Sequence, residues 1–163
     1  HLNASTFLPE YIEMNQLTKD YFSAHPDQFR AVMAHEIAHI VNGDCSIDKN
    51  IADNIQPPNQ RREVLADRLG AIIHGNPAQY AAATNAFMHE LHRRYRTKPH
   101  LSTNTELSTH ALSRMLNKWA MILRDNGALE PNGHVRKERA LEIYQRGLPI
   151  TDMLVEMDNI AKG

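Results

Sequence analysis

His35-Glu36-Ile37-Ala38-His39 is the segment whose residue types and spacing most clearly support chemistry. On a helix, residues four apart share a face, so both imidazoles can reach one metal ion. Glu36 lies about 100° around the helix from His35, beside that face. There it can take a proton from a water held at the metal without ligating the metal itself. Two nitrogen ligands and an adjacent carboxylate base are the working parts of a zinc hydrolase. With ten histidines and ten glutamates in 163 residues, chance produces such a pentapeptide about 4% of the time, so its surroundings must carry part of the argument.

A catalytic zinc site takes three protein ligands and keeps one position open. The segment Arg61-Arg62-Glu63-Val64-Leu65-Ala66-Asp67-Arg68-Leu69-Gly70 offers the third. Glu63 and Asp67 are four apart and share a helix face. One of them can ligate the metal. The other can accept a hydrogen bond from a ligating imidazole and fix its tautomer.

These side chains must be positioned by helices, and the sequence supplies them. A helix is predicted from Pro26, with proline in its first turn, through Val41 to a stop at Asn42-Gly43. A loop follows that ends in Pro57-Pro58-Asn59. Further helices are predicted over Arg61–His74 and Pro77–Arg96. Another starts near Thr103, which has capping-box spacing to Glu106, and runs to Asp125. Asn126–Gly133 reads as a polar loop, and Arg136–Arg146 and Thr151–Ala161 as helices. Ahead of these, Asn3–Leu8 and Tyr11–Met14 read as short strands around Pro9, at a sheet edge or turn. The expected fold class is α+β and mostly α, with a small N-terminal edge β-hairpin.

The length of 163 residues argues for one domain, with a core over about 3–124 and C-terminal helices in 134–163 of unassigned role. A net charge of −1 gives no electrostatic footprint for nucleic acid. No apolar run approaches the roughly 20 residues of a membrane-spanning helix. The single cysteine, Cys45, excludes an internal disulfide framework. The chain begins with His1 rather than Met, as a processed or truncated chain does, so the compartment is not legible.

With HEIAH followed by EVLAD, the chain resembles the gluzincin metallopeptidases, and within them the M48 family with its HtpX-, Ste24- and Oma1-like peptidases. The resemblance covers about Asn3–Trp119. It implies a zincin-like peptidase domain that binds one zinc ion per chain through His35, His39 and Glu63. Glu36 would be the general base, and Asp67 would orient a ligating histidine. The substrate would be a protein or peptide. Asn3-Ala4 is similar to the family's Asn-Ala at the substrate-binding edge strand. Leu107-Ser108-Thr109-His110 is similar to its Ser-Thr-His-Pro segment, which implies that His110 and a following arginine, here Arg114, help to hold the reacting carbonyl. Ala111 stands in place of that proline, and Arg114 follows His110 by four positions rather than about six. The upstream helices and first strand of the family are expected to be missing or short.

A neighbouring enzyme group, the ImmA/IrrE-like repressor-cleaving peptidases, shares HExxH and a downstream glutamate. Its second motif usually reads Glu-x-x-Ala-Asn, whereas this chain has Ala66-Asp67-Arg68-Leu69. A zinc-stabilised binding module without catalysis is the alternative from another class, and the retained Glu36 argues against it. The other candidates have ordinary readings. His89-Glu90-Leu91-His92 is one residue short of the zinc motif and reads as an exposed helix face. Cys45 reads as a small buried residue. His25 belongs to the start of the zinc helix, and His74, His100 and His134 read as surface or capping residues. Nothing singles out Tyr80, Tyr95 or Tyr144 as an oxyanion donor. Met115, Leu116, Trp119, Ile122 and Leu123 fall at helical spacing and read as core.

Overall fold

The computed structural model describes residues 4–7, 11–44, 60–95 and 109–146. Among them are two strands and six helices. Strands β1 (Ala4–Phe7) and β2 (Tyr11–Met14) pair antiparallel, with Ala4 opposite Met14 and Phe7 opposite Tyr11. The helices are α1 (Gln16–Ala24), α2 (Pro26–Val41), α3 (Gln60–His74), α4 (Pro77–Tyr95), α5 (Thr109–Asp125) and α6 (Lys137–Gln145). None of these helices is long and apolar enough to cross a membrane. The loop ending in Pro57-Pro58, Cys45, His100, the Thr103–Glu106 pair and the expected helix Thr151–Ala161 lie outside the described residues.

Helix α1 is an addition to the sequence reading. Its start is an N-cap: the Asn15 side chain accepts hydrogen bonds from the Thr18 N–H at 2.9 Å and the Thr18 hydroxyl at 2.7 Å. Helix α2 opens with Pro26 at its first turn and Asp27 beside the positive end of the helix dipole.

The contact between α2 and α3 is built from small side chains. Ala34 and Ala38 of α2, and Ala66 and Ala71 of α3, are all buried. Gly70 marks the closest approach. A Cβ added there would lie 2.7 Å from the Tyr80 hydroxyl and 3.3 Å from the His35 Cα. Only a residue without a side chain lets the two helices and Tyr80 of α4 meet at this point. Strand β1 also packs beside α2.

The main core gathers Val64, Ile72, Tyr80, Leu112, Met115, Leu116, Trp119, Leu123 and Ile143 around this contact. Met115, Leu116, Trp119 and Leu123 are buried as the helical spacing of α5 implies. The Arg68 guanidinium is also buried, stacked 3.9 Å over the Trp119 ring, while the Trp119 indole donates to the Arg68 carbonyl at 3.1 Å. A second cluster of Phe22, Val32 and Phe87 joins α1, α2 and α4. The segment after α5 carries a bridge between Leu129 and Val135, and α6 then returns against α3.

Candidate metal centre

Helix geometry places His35 and His39 one turn apart on α2, and the small-residue contact brings Glu63 of α3 opposite them. Their donor atoms converge. The two Nε2 atoms are 3.1 Å apart, His35 Nε2 is 3.1 Å from Glu63 Oε2, and His39 Nε2 is 3.3 Å from Glu63 Oε1. These three residues are the one group of metal-type donors that converges among the described residues.

The donor set fits a metal ion of zinc's size on two independent grounds, one of spacing and one of charge. Tetrahedral ligands about 2.0–2.2 Å from zinc lie roughly 3.3–3.5 Å from one another. The observed separations match that spacing to within a few tenths of an ångström. The second ground is electrostatic. Each imidazole has a carboxylate at its Nδ1: Asp67 Oδ1 lies 2.9 Å from His35 Nδ1, and Asp44 Oδ2 lies 2.7 Å from His39 Nδ1. A carboxylate only accepts, so Nδ1 carries the proton in each ring. That leaves both Nε2 lone pairs facing each other and the Glu63 carboxylate, an arrangement that needs positive charge at its centre.

Without a metal, that charge is supplied by protons. Burial alone would lower the His39 imidazole, but hydrogen bonds to Asp44 and Glu63 hold it up at about 9. His35 is likewise raised well above the ordinary value, against its own burial, by Asp67 and then Glu63. Glu63, which burial would raise, is held far below the usual carboxylate range by the two histidines. Glu36 shifts the other way. Burial raises its carboxyl, and the charges of His35 and His39 only partly offset this.

The sequence points to Asp67, and the structure adds a partner behind it. The Tyr80 hydroxyl donates to Asp67 Oδ1 at 2.7 Å, so one carboxylate oxygen accepts from both the ring and the phenol. Tyr80, which the sequence left as one of three unselected phenols, is thus fully buried behind His35.

Asp44 is a residue of the candidate site that sequence reasoning missed. Helix α2 ends in a Schellman motif: the Gly43 N–H donates to the Ile40 carbonyl and the Asp44 N–H to the His39 carbonyl. Gly43 supplies the left-handed conformation, with φ of +74°. The same motif ends α5, where Gly127 brings Ala128 back over Leu123 in the usual apolar contact. On α2 the equivalent pair is Asp44 and His39, and the contact becomes a hydrogen bond to a metal-type donor. The Arg62 guanidinium holds Asp44 from α3, with Nη2 donating to the Asp44 carbonyl at 3.1 Å and Nε 3.6 Å from Oδ1. The signal was present in Asn42-Gly43-Asp44, since a left-handed glycine fixes where the next residue points.

The remaining site candidates are dispersed. Ala4 opens β1, and Asn3 lies outside the described residues. His110 falls in the first turn of α5, and Arg114 is exposed on the same helix. His89 and His92 are exposed on α4, as their spacing implies. His25 sits at the α1–α2 junction, stacked on Tyr21 at 4.2 Å. His74, read from the sequence as a surface or capping residue, ends α3 and is buried against the Tyr80 ring.

A sequence profile of peptidase family M48 matches residues 12–94, which cover most of β2, all of α1, α2 and α3, and nearly all of α4. No curated protein and no solved structure matches the chain.

Proposed function

The chain belongs to peptidase family M48, and on that premise we propose that it is a zinc endopeptidase acting on protein or peptide substrates. The observation that supports this most directly is the convergence of His35, His39 and Glu63, each aiming a donor atom at one point. The donors also remain reachable, because the Glu63 side chain is about one-third exposed (32%). One zinc ion held by these three residues would supply Lewis acidity, making water nucleophilic near neutral pH and polarising a peptide carbonyl.

Glu36 is the general base in this reading. It takes a proton from the attacking water and returns it to the departing amine. A carboxyl raised by burial is better matched to that exchange than an exposed one. Asp67 and Asp44 each hold one imidazole by Nδ1 and keep its Nε2 free. Resemblance to the family assigns His110 and Arg114 to holding the carbonyl. It assigns Asn3 and Ala4 to an edge strand on which an extended substrate pairs by backbone hydrogen bonds. The packing of β1 beside α2 is compatible with that arrangement.

The test is Glu36→Gln with the wild type as reference. The variant should bind zinc stoichiometrically by metal analysis and lose about 10²–10⁴-fold in peptide cleavage. Undiminished cleavage would overturn the role of Glu36. Wild-type protein that holds zinc but cleaves nothing in a broad peptide pool would leave a binding function only.

A further inference from the structure

Helix α6 lies beyond the segment that matches the family, yet it reaches the support of the candidate metal centre. The Tyr144 hydroxyl donates to Asn42 Oδ1 at 2.6 Å across 102 residues of sequence. The Tyr144 ring packs against the buried group of Ala38, Ala66 and Leu69, between α2 and α3. Asn42 is the C-cap of α2 and directly precedes Gly43-Asp44, the turn that carries the Asp44 carboxylate to His39 Nδ1.

We infer that Tyr144 is a positioning residue for the His39 imidazole, acting through Asn42. The inference rests on the reading of His39 as a metal ligand. Among the described residues, two neighbouring helices anchor the turn. Arg62 of α3 holds the Asp44 carbonyl, and Tyr144 of α6 holds the Asn42 side chain. Gly43 stands between them, with no described residue within 4 Å of where a Cβ would be. Asp44 orients His39 only as well as this turn is held, and the orientation of a ligating ring depends on the partner at its far nitrogen. Loss of the Tyr144 hydroxyl loosens one anchor and lets the ring of His39 swing, while Asp67 and Tyr80 keep the ring of His35 in place.

The experiment compares Tyr144→Phe, Asn42→Ala and the double variant with wild type. Zinc affinity is read by competition with a chelator. The ring Nδ1–H resonances of His35 and His39 are read by NMR in both the zinc-free and zinc-loaded protein. Tyr144→Phe should weaken zinc binding about threefold to tenfold, less than the roughly 10–100-fold of a direct partner. It should shift the His39 resonance and leave that of His35 in place. Asn42→Ala should do the same, and the double variant should be no worse than either single one. If Tyr144→Phe does not fold, the Asn42→Ala spectrum decides. Unchanged affinity with an unmoved His39 resonance would overturn the inference, as would additive effects or equal movement of both rings. A wild-type chain that takes up no zinc would instead defeat the metallopeptidase reading, and the His39 resonance of the zinc-free protein would still decide this one.

Discussion

Asp44 lies 2.7 Å from His39 Nδ1 because a Schellman turn returns the residue after Gly43 over the residue five positions earlier. The hydrogen bond therefore follows from how the helix ends. It makes Asp44 the counterpart of Asp67, which does the same for His35 from a different helix. Asp44→Ala and Asp67→Ala should each weaken zinc binding about 10–100-fold while leaving all three ligands in the chain. Chelator competition on the purified variants measures this. An Asp44→Ala affinity equal to wild type would show that the turn caps the helix and does nothing for the metal.

Two glycines beside the site should respond differently to alanine. At Gly43 no described residue lies within 4 Å of an added Cβ, so the expected cost of Gly43→Ala is that of the left-handed conformation, about 1–2 kcal/mol. At Gly70 the backbone conformation is helical and the space is occupied. Gly70→Ala must push the Tyr80 hydroxyl away from Asp67 or α3 away from His35, at about 1–3 kcal/mol. Denaturant unfolding gives both costs. Only Gly70→Ala should also disturb the His35 side of the metal site, which the His35 ring resonance reports.

Much of the site is legible in the sequence because helix geometry alone sets the relevant spacing. The pairs His35/His39 and Glu63/Asp67 are each four apart, and any helix puts each pair on one face. Meeting across two helices is less legible, since it depends on Ala34, Ala38, Ala66 and Gly70 being small at the same depth. Asp44 and Tyr80 stay hidden for different reasons. Gly43 reads as a helix stop, and its effect on the direction of the next residue is easily passed over. Tyr80 is one tyrosine among five, and only the packing of α4 behind Asp67 selects it. Helix α1 has its N-cap in Asn15 and Thr18, but its pattern is masked by the stronger proline start at Pro26. His74 reads as a surface or capping residue, and nothing in the sequence shows that Tyr80 will bury it.

Zinc should stabilise the folded chain, since the three donors converge only when it is folded. At a free concentration one hundred times the dissociation constant, the gain is about 2.7 kcal/mol. Differential scanning calorimetry should show the melting midpoint rising with added zinc and falling with a chelator. Glu63→Ala removes one donor, so its zinc content should drop and its zinc-dependent rise should shrink. A full zinc complement in that variant would move the third ligand to another carboxylate.

His74 gives the fold a pH dependence of defined sign. Burial lowers its pKa below the ordinary histidine value, and the neighbouring Arg30 and His134 charges act in the same direction. The Asn76 N–H donates to its Nδ1 at 3.3 Å, so the acceptor must stay unprotonated for that bond to persist. Arg30 also donates to the His74 carbonyl at 2.7 Å, which keeps its guanidinium close. The unfolded chain therefore binds a proton at this residue at a higher pH than the folded chain does. Stability contributed here is present above the unfolded value of about 6.5 and is lost as pH falls below it toward the depressed folded value. His74→Gln replaces the imidazole with a group that does not titrate. Between pH 7.5 and 5, the melting midpoint of the wild type should fall more steeply than that of His74→Gln. Parallel curves for the two proteins would mean that His74 does not resist protonation in the folded chain.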